Sequence, residues 1–235
     1  MQDIIFLESG AIYLHKLKTL IISDLHIGYE NALNKSGIFI PRLQLKDIKR
    51  KISLILARYN IESIIINGDI KHDFGYMDRQ AKNSLTRFIE FLSQKKLRLI
   101  KGNHDVGIDR ILQEYDLKLN EFIKLKNILV CHGDKIPPAN AFTGVTHIII
   151  GHEHPAISLS KDNRTELYKC FLVGSYKNKK LIVMPSFHNV TIGTDILREK
   201  LQSPFLRGNI DSFKVYIIGD KLYYFGHVSE LRQRF

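Results

Sequence analysis

The sequence predicts an α/β protein built on two stacked, mixed β-sheets flanked by helices. Short apolar runs alternate with amphipathic helical stretches up to Pro155, and beyond it helical periodicity gives way to a succession of strands. In addition, the central strand-like runs each end in a polar cluster, at the edge where open α/β sheets form their functional crevices.

The elements follow in order. Ile4 to Leu7 and Ala11 to His15, joined by Glu8-Ser9-Gly10, read as a hairpin. Thr19 to Ile22, Ser63 to Ile66, Leu97 to Ile100, Ile128 to Cys131 and Thr146 to Ile150 are apolar, strand-like runs. One helix is expected with Pro41 at its first position and Leu45, Ile48, Ile52, Leu56 and Tyr59 along one face. A second follows a cap at Asp78 and aligns Ala81, Leu85, Phe88 and Leu92. A shorter helix is expected around Ile108 to Tyr115. The second half reads as strands at Ile157 to Ser160, Leu167 to Val173, Leu181 to Met184, Phe213 to Ile218 and Leu222 to Phe225. Turns are expected at Lys161-Asp162-Asn163 and Gly219-Asp220, and a short helix at Asp195 to Leu201.

Composition narrows the class. The length of 235 residues suits one domain, 1–235, with a substantial core. No apolar run approaches the roughly 18 residues that span a bilayer, and the N-terminus, with Asp3 and Glu8, does not read as a signal peptide. The two cysteines, Cys131 and Cys170, form no disulfide framework or zinc-finger spacing, so a cytoplasmic setting is expected. Cys131 sits inside an apolar strand and reads as a small buried filler. A net charge of +11 favours polyanions, nucleic acid foremost, although a lysine-rich solvated surface has the same composition. The basic stretches Lys46 to Arg58, Lys177 to Lys180 and Arg198 to Arg207 lack the aromatic interleaving of a single-strand groove.

The polar clusters carry the chemistry. They are Ser23-Asp24-Leu25-His26, Asn67-Gly68-Asp69, Gly102-Asn103-His104-Asp105, His132-Gly133-Asp134 and Gly151-His152-Glu153-His154. A lone Asp-x-His or His-x-His is an ordinary cap or surface feature; five such clusters in order, each after an apolar run, build one pocket. Carboxylate, imidazole and amide oxygen together suit Mn, Fe or Zn better than Ca or Mg. Asp24, His26, Asp69, Asn103, His132, His152 and His154 are too many ligands for one tetrahedral ion, but suit two ions sharing a carboxylate. Two metals about 3.5–4 Å apart can activate water and clamp a phosphate for in-line attack.

The ordered set resembles the calcineurin-like metallophosphoesterases, whose pattern is D-x-H, G-D-x-x-H/D, G-N-H-D/E, H and G-H-x-H; all blocks are present between residues 24 and 154. The resemblance implies a four-layer αββα sandwich of two mixed sheets. It also implies that Asp24, His26 and His154 hold one metal, that Asn103, His132 and His152 hold the other, and that Asp69 bridges them. His104 would protonate the leaving oxygen, and Asp105 would orient His104. Asp69-Ile70-Lys71-His72 is similar to the motif of SbcD-type repair nucleases, which implies that His72 lies beside the scissile phosphate; a plain loop histidine, with Asp73 substituting in the pattern, is the alternative. Gly28-Tyr29-Glu30, Gly151 to Ala156, Pro185-Ser186-Phe187 and Gly193-Thr194-Asp195 resemble a stand-alone archaeal and bacterial branch that includes the DNA-ligase-associated PdeM-type nucleases. The chain lacks residues for the capping domain of SbcD-type enzymes.

The expectation is therefore a dinuclear metal-dependent phosphodiesterase or nuclease acting on DNA or RNA in a repair setting. Mn²⁺ is favoured, with Fe, Zn or Ni as alternatives. One competing reading changes the substrate to small nucleotides or phosphomonoesters. Another makes the chain a non-catalytic binding scaffold, against which the complete ligand set and His104 speak. His188, after the Pro185 turn, reads as a polar loop residue, with a place at the pocket edge as the alternative, and His15, His147 and His227 read as structural.

Overall fold

The computed structural model describes residues 3–75, 77–161 and 164–234; Asp162 and Asn163 of the expected turn lie outside them. The first sheet runs in spatial order β1 (Ile4–Phe6), β2 (Ile12–Leu14), β3 (Thr19–Ser23), β4 (Ser63–Asn67), β5 (Lys96–Ile100) and β6 (Leu119–Asn120). The β1–β2–β3 pairings are antiparallel and those from β3 to β6 parallel. The parallel part is the consequence of the helices between its strands, which return the chain to the same edge. These are α1 (Tyr29–Lys35), α2 (Gln44–Arg58), α3 (Arg79–Leu92) and α4 (Asp109–Gln113).

The second sheet is assembled from β7 (Phe122–Leu125), β8 (Ile128–Cys131), β9 (His147–Ile150), β10 (Pro155–Lys161), β11 (Arg164–Tyr176), β12 (Lys179–Val183), β13 (Thr194–Asp195), β14 (Lys214–Ile218) and β15 (Leu222–His227). Its central order is β13-β10-β11-β12-β9-β8-β7, with β14 pairing both β11 and β15. It too is mixed, since β8, β9 and β12 run parallel to one another and most other pairs are antiparallel.

The two sheets bury their facing sides on each other. Ile21, Ile65 and Ile100 from the first meet Val130, Ile149, Phe171 and Ile182 from the second in one apolar layer. On its other face the first sheet is covered by Ile48 and Ile52 of α2 and Leu85 and Phe88 of α3. The outer face of the second sheet is covered more thinly. There α5 (Val228–Arg234) contributes Val228 and Leu231, and irregular chain contributes Ile196, Phe205, Leu206 and Phe213. The order of layers is helix, sheet, sheet, helix.

Two helix boundaries show how local chemistry sets an element's start. Asp78 caps α3 as expected, its Oδ1 accepting the Ala81 amide at 2.7 Å. The α2 helix starts at Gln44, so Pro41 lies upstream of it and is not its first residue. Its first amides are capped from a distance, since Glu30 Oε1 accepts from Leu43 at 2.8 Å and Gln44 at 2.7 Å. The helix expected at Asp195 to Leu201 does not form. Asp195 belongs to β13, paired in parallel with β10, and turns follow it. Helix α1, strands β6 and β7 and helix α5 were not anticipated.

Candidate metal centre

The polar clusters follow β3, β4, β5, β8 and β9, and the main chain laces their loops together beyond the strand ends. Asp24 donates its amide to the Gly68 carbonyl at 3.2 Å and His26 to Asp69 at 2.8 Å; Gly151 donates to His132 at 2.8 Å. Asp69 Oδ1 accepts the His104 amide at 2.9 Å, which fixes the β4 loop to the β5 loop. Glycine is required at the tightest crossings. A Cβ on Gly68 would overlap the His132 ring, and one on Gly151 would overlap the Ser23 and Asp24 side chains.

Asp24, His26, Asp69 and His154 place one ligand atom each within 4.8 Å of one another, and so do Asp69, His132 and His152. Asp69 belongs to both groups: its Oδ2 lies 3.6 Å from His26 Nε2 and 3.4 Å from His132 Nε2. Asn103 Oδ1 lies 3.1 Å from His132 Nε2, on the second group's side. The sequence-predicted ligands thus converge on one pocket.

Their surroundings set the orientation and charge of the donors. His132 donates from Nδ1 to the Asn67 carbonyl at 3.2 Å, which turns Nε2 towards Asp69 and Asn103. Ser23 Oγ donates to Asp24 Oδ2 at 2.6 Å, leaving Oδ1 facing His154 Nε2 at 3.2 Å. Burial works against ionisation of Asp24, yet His154 and His132 hold its carboxyl well below the usual range. Asp69 is likewise held low, burial being outweighed chiefly by His132. Burial, reinforced by His154, pushes His26 down to about 3, so its imidazole is neutral and its lone pair free. His132 goes the other way. Burial opposes its protonation, but Asp69 and Asp24 raise it to about 9. Two buried carboxylates among imidazoles call for positive charge, and carboxylate, imidazole and amide oxygen fit divalent cations.

His104 and His72 flank this centre. His104 donates from Nδ1 to the main-chain carbonyl of His72, and its Nε2 lies 3.9 Å from Asp69 Oδ2. The group that orients His104 is therefore that carbonyl and not Asp105. The Asp105 carboxylate is spent on backbone amides, accepting from Gly102 at 2.8 Å, Ile70 at 2.8 Å and Lys71 at 3.3 Å. It ties the β4 and β5 loops together, and burial, against the Gly102 amide, lifts it to about 6. The His72 ring stacks on Tyr29 with centroids 3.8 Å apart and planes 9° off parallel.

Two residues stand closer to the centre than the sequence leads one to expect. His188 is buried beside the centre, its ring 5.4 Å from that of His26 and 6.1 Å from that of His154. Phe74 lays its ring on His104 at a centroid distance of 3.7 Å while remaining 62% exposed. Phe74 lies in no motif and His188 only follows the Pro185-Ser186-Phe187 pattern; the folded chain brings both to the site. Cys131, by contrast, is buried as expected, and burial raises its thiol far above the ordinary value.

A constellation of this kind at the strand ends of two stacked mixed sheets defines a metallophosphoesterase. The chain belongs to the calcineurin-like phosphoesterase family, whose model matches residues 17–230. It is a metal-dependent phosphoester hydrolase. Its fold is similar to that of the Pseudomonas putida nuclease MPE, with a TM-score of 0.68 at 20% identity over 93% of each chain. Weaker similarity extends to protein AQ665 of Aquifex aeolicus, with TM-score 0.40 and 20% identity over 61% of this chain and 81% of that one. It extends also to Vps29 of Cryptosporidium parvum, with TM-score 0.40 and 15% identity over 88% of this chain and 97% of that one. No curated protein matches the sequence. No helix among the described residues is long and apolar enough to cross a membrane.

Proposed function

We propose that this protein is a dinuclear phosphodiesterase that cleaves nucleic acid, with Mn²⁺ as the favoured metal. The observation that carries the dinuclear reading is Asp69, whose Oδ2 faces His26 on one side and His132 on the other. One ion would be held by Asp24, His26 and His154, the other by Asn103, His132 and His152, with Asp69 shared. Divalent cations held there supply the Lewis acidity that polarises a phosphoryl group and acidifies water.

The chain's own residues do the rest. His104 presents Nε2 to the pocket because Nδ1 is committed to the His72 carbonyl. With Nδ1–H held by that carbonyl, Nε2 is the nitrogen from which His104 can deliver a proton to a departing oxygen. His72 serves this step through its carbonyl. Its ring, packed between Tyr29 and His104, walls the pocket.

Nucleic acid is supported by the surface at the mouth. Phe74 offers an exposed ring next to His104, where a base flanking the scissile phosphate can stack. The net charge of +11 adds a general attraction to polyanions. The likeness to the Pseudomonas nuclease is one of fold and is consistent with this substrate. The test is turnover of the Mn²⁺-loaded protein on oligonucleotides, on bis-p-nitrophenyl phosphate and on p-nitrophenyl phosphate at equal concentration, with and without chelator. Metal-dependent cleavage of the oligonucleotide is expected. Intact oligonucleotides alongside a hydrolysed monoester or mononucleotide would transfer the reading to small phosphoesters.

A further inference from the structure

The segment after β12 carries an unexplained construction. Its peptide groups Ser186, Phe187 and His188 are tied down by two lysine side chains that reach into the interior. Lys169 donates from Nζ to the Ser186 carbonyl at 2.8 Å, to Ser186 Oγ at 2.7 Å and to the His188 carbonyl. Lys51 donates to the Phe187 carbonyl at 2.5 Å and lies 4.1 Å over the Phe187 ring. From the other side the Phe187 amide donates to Ser23 at 2.9 Å, next to Asp24. Burying two ammonium groups is costly, and loops are not ordinarily held this way.

What the construction holds in place is His188, which is 1% exposed. The Val190 amide donates to its Nδ1 at 3.1 Å. That bond occupies the Nδ1 lone pair, so the neutral ring carries its proton on Nε2. A ring nitrogen of His188 lies within 4.8 Å of ring nitrogens of His26 and His154, and with Nδ1 taken by Val190, Nε2 is the nitrogen left to the pocket. Nε2 is buried and meets no hydrogen-bond partner among the described residues. A protonated Nε2 cannot be a metal ligand; it can only donate. Around it stand imidazoles and the Lys169 ammonium. The carboxylate that acts on it, Asp24, is already engaged by Ser23 Oγ and the His152 amide. The acceptor such a donor awaits is an anionic oxygen brought in from outside.

We propose that His188 is a substrate-positioning residue, whose Nε2–H donates to a non-bridging oxygen of the bound phosphoester on the His26–His154 side of the centre. This deepens the phosphoesterase reading and rests on it, but holds whether the substrate is a polymer or a small molecule. A buried hydrogen bond to a charged acceptor corresponds to about 10- to 100-fold in affinity.

The test uses the full-length, Mn²⁺-loaded protein with H188A and H188Q, glutamine keeping an N–H donor of similar reach. Metal content is measured by elemental analysis, and inorganic phosphate and orthovanadate affinities by titration and by competition against bis-p-nitrophenyl phosphate. H188A is expected to retain the wild-type metal content, to bind both anions about 10- to 100-fold more weakly, and to be restored in large part by H188Q. Should H188A not fold, H188F replaces it as the donor-free variant. Loss of metal in the donor-free variant and in H188Q would make His188 a ligand and overturn the proposal. Unchanged anion affinity in the donor-free variant would reduce His188 to packing. The wild-type protein's cleavage of the chromogenic diester tests the phosphoesterase reading separately, so the two can fail independently.

Discussion

Asp24, His26, Asp69, His152 and His154 all adopt positive φ, between 46° and 64°. Residues with a Cβ avoid this region, at a cost of about 1–3 kcal/mol each when the surrounding structure enforces it. Here the enforcement is visible. Amides of these residues or their neighbours are bonded across to the next loop, and Gly68, Gly102 and Gly151 clear the space that a Cβ would fill. The strained turns aim short side chains inward from strand ends that would otherwise point them to alternate faces. Metal loading is therefore expected to raise thermal stability, because bound cations favour the strained native state over the unfolded chain. For Asp69→Asn, elemental analysis should show both metals weakened, since each group loses the same carboxylate. One tightly held metal in wild type, unaffected by the substitution, would contradict the shared-ligand reading. For His104→Ala the expectation separates binding from chemistry: metal content close to wild type, turnover lower by about 10²–10⁴-fold. Loss of a metal would make His104 a ligand instead. The convergence of the candidate ligands could be read in the sequence because each follows an apolar run directly, so chain order and pocket coincide. Phe74 could not, and His188 could be set at the pocket edge only as an alternative, because their place depends on the segments that carry them, whose course no local pattern fixes. Asp105 departs from the role the resemblance implies, because the turn sends its carboxylate back to three amides and not to His104.

At the scale of elements, the strands bearing the clusters coincide with their apolar runs to within a residue, as does the cap at Asp78. Two-sided burial between helix layer and second sheet demands continuous Ile and Leu, and such runs admit few other readings. What escaped notice was short or polar. Helix α1 has only Asn31 buried, and α5 spans seven residues, so neither has an extended apolar stripe to read. The α1 helix nonetheless serves the site. Tyr29 at its start stacks on His72, and Glu30 caps α2. The expected helix at Asp195 to Leu201 was preempted by pairing of Thr194 and Asp195 with β10, which keeps the segment against His154. The α3 helix offers a clean test of local against global effects, since Asp78 caps it some distance from the ligands. Asp78→Ala should cost about 1 kcal/mol, which lowers the melting temperature by about 2–4 °C in a chain of this size. Activity on a small diester should stay near wild type. A fall in activity larger than the stability loss explains would mean that the cap also fixes the His72 carbonyl, through which His104 is oriented.

The whole molecule poses the question of substrate, and two of its features point the same way by different physics. The charge of +11 is spread over the chain and acts at a distance, so it draws any polyanion and is screened by salt. On the proposed nuclease reading, the Phe74 ring would act by contact and select for an unpaired base. Its loop is pinned from beneath by Lys71, which is 1% exposed and whose Nζ donates to the Asp73 and Gly75 carbonyls. The ring is thus presented and not merely left outside. Both features predict binding of single-stranded oligonucleotides that weakens linearly in log affinity against log salt, each phosphate contact adding about −0.7 to the slope. They differ in what Phe74→Ala should do. Stacking of one base is worth about 1–3 kcal/mol, so the variant should lose about 5- to 150-fold in kcat/KM on single strands while keeping its salt slope. Its turnover of bis-p-nitrophenyl phosphate should barely change, because that substrate has no base to stack, and this control also shows that His104 has kept its place. Duplex should be cleaved more slowly than single strand by the wild type, with the difference shrinking in the variant. Equal losses on single strand, duplex and chromogenic diester would show that Phe74 only buttresses His104, leaving charge alone to support a nucleic-acid substrate.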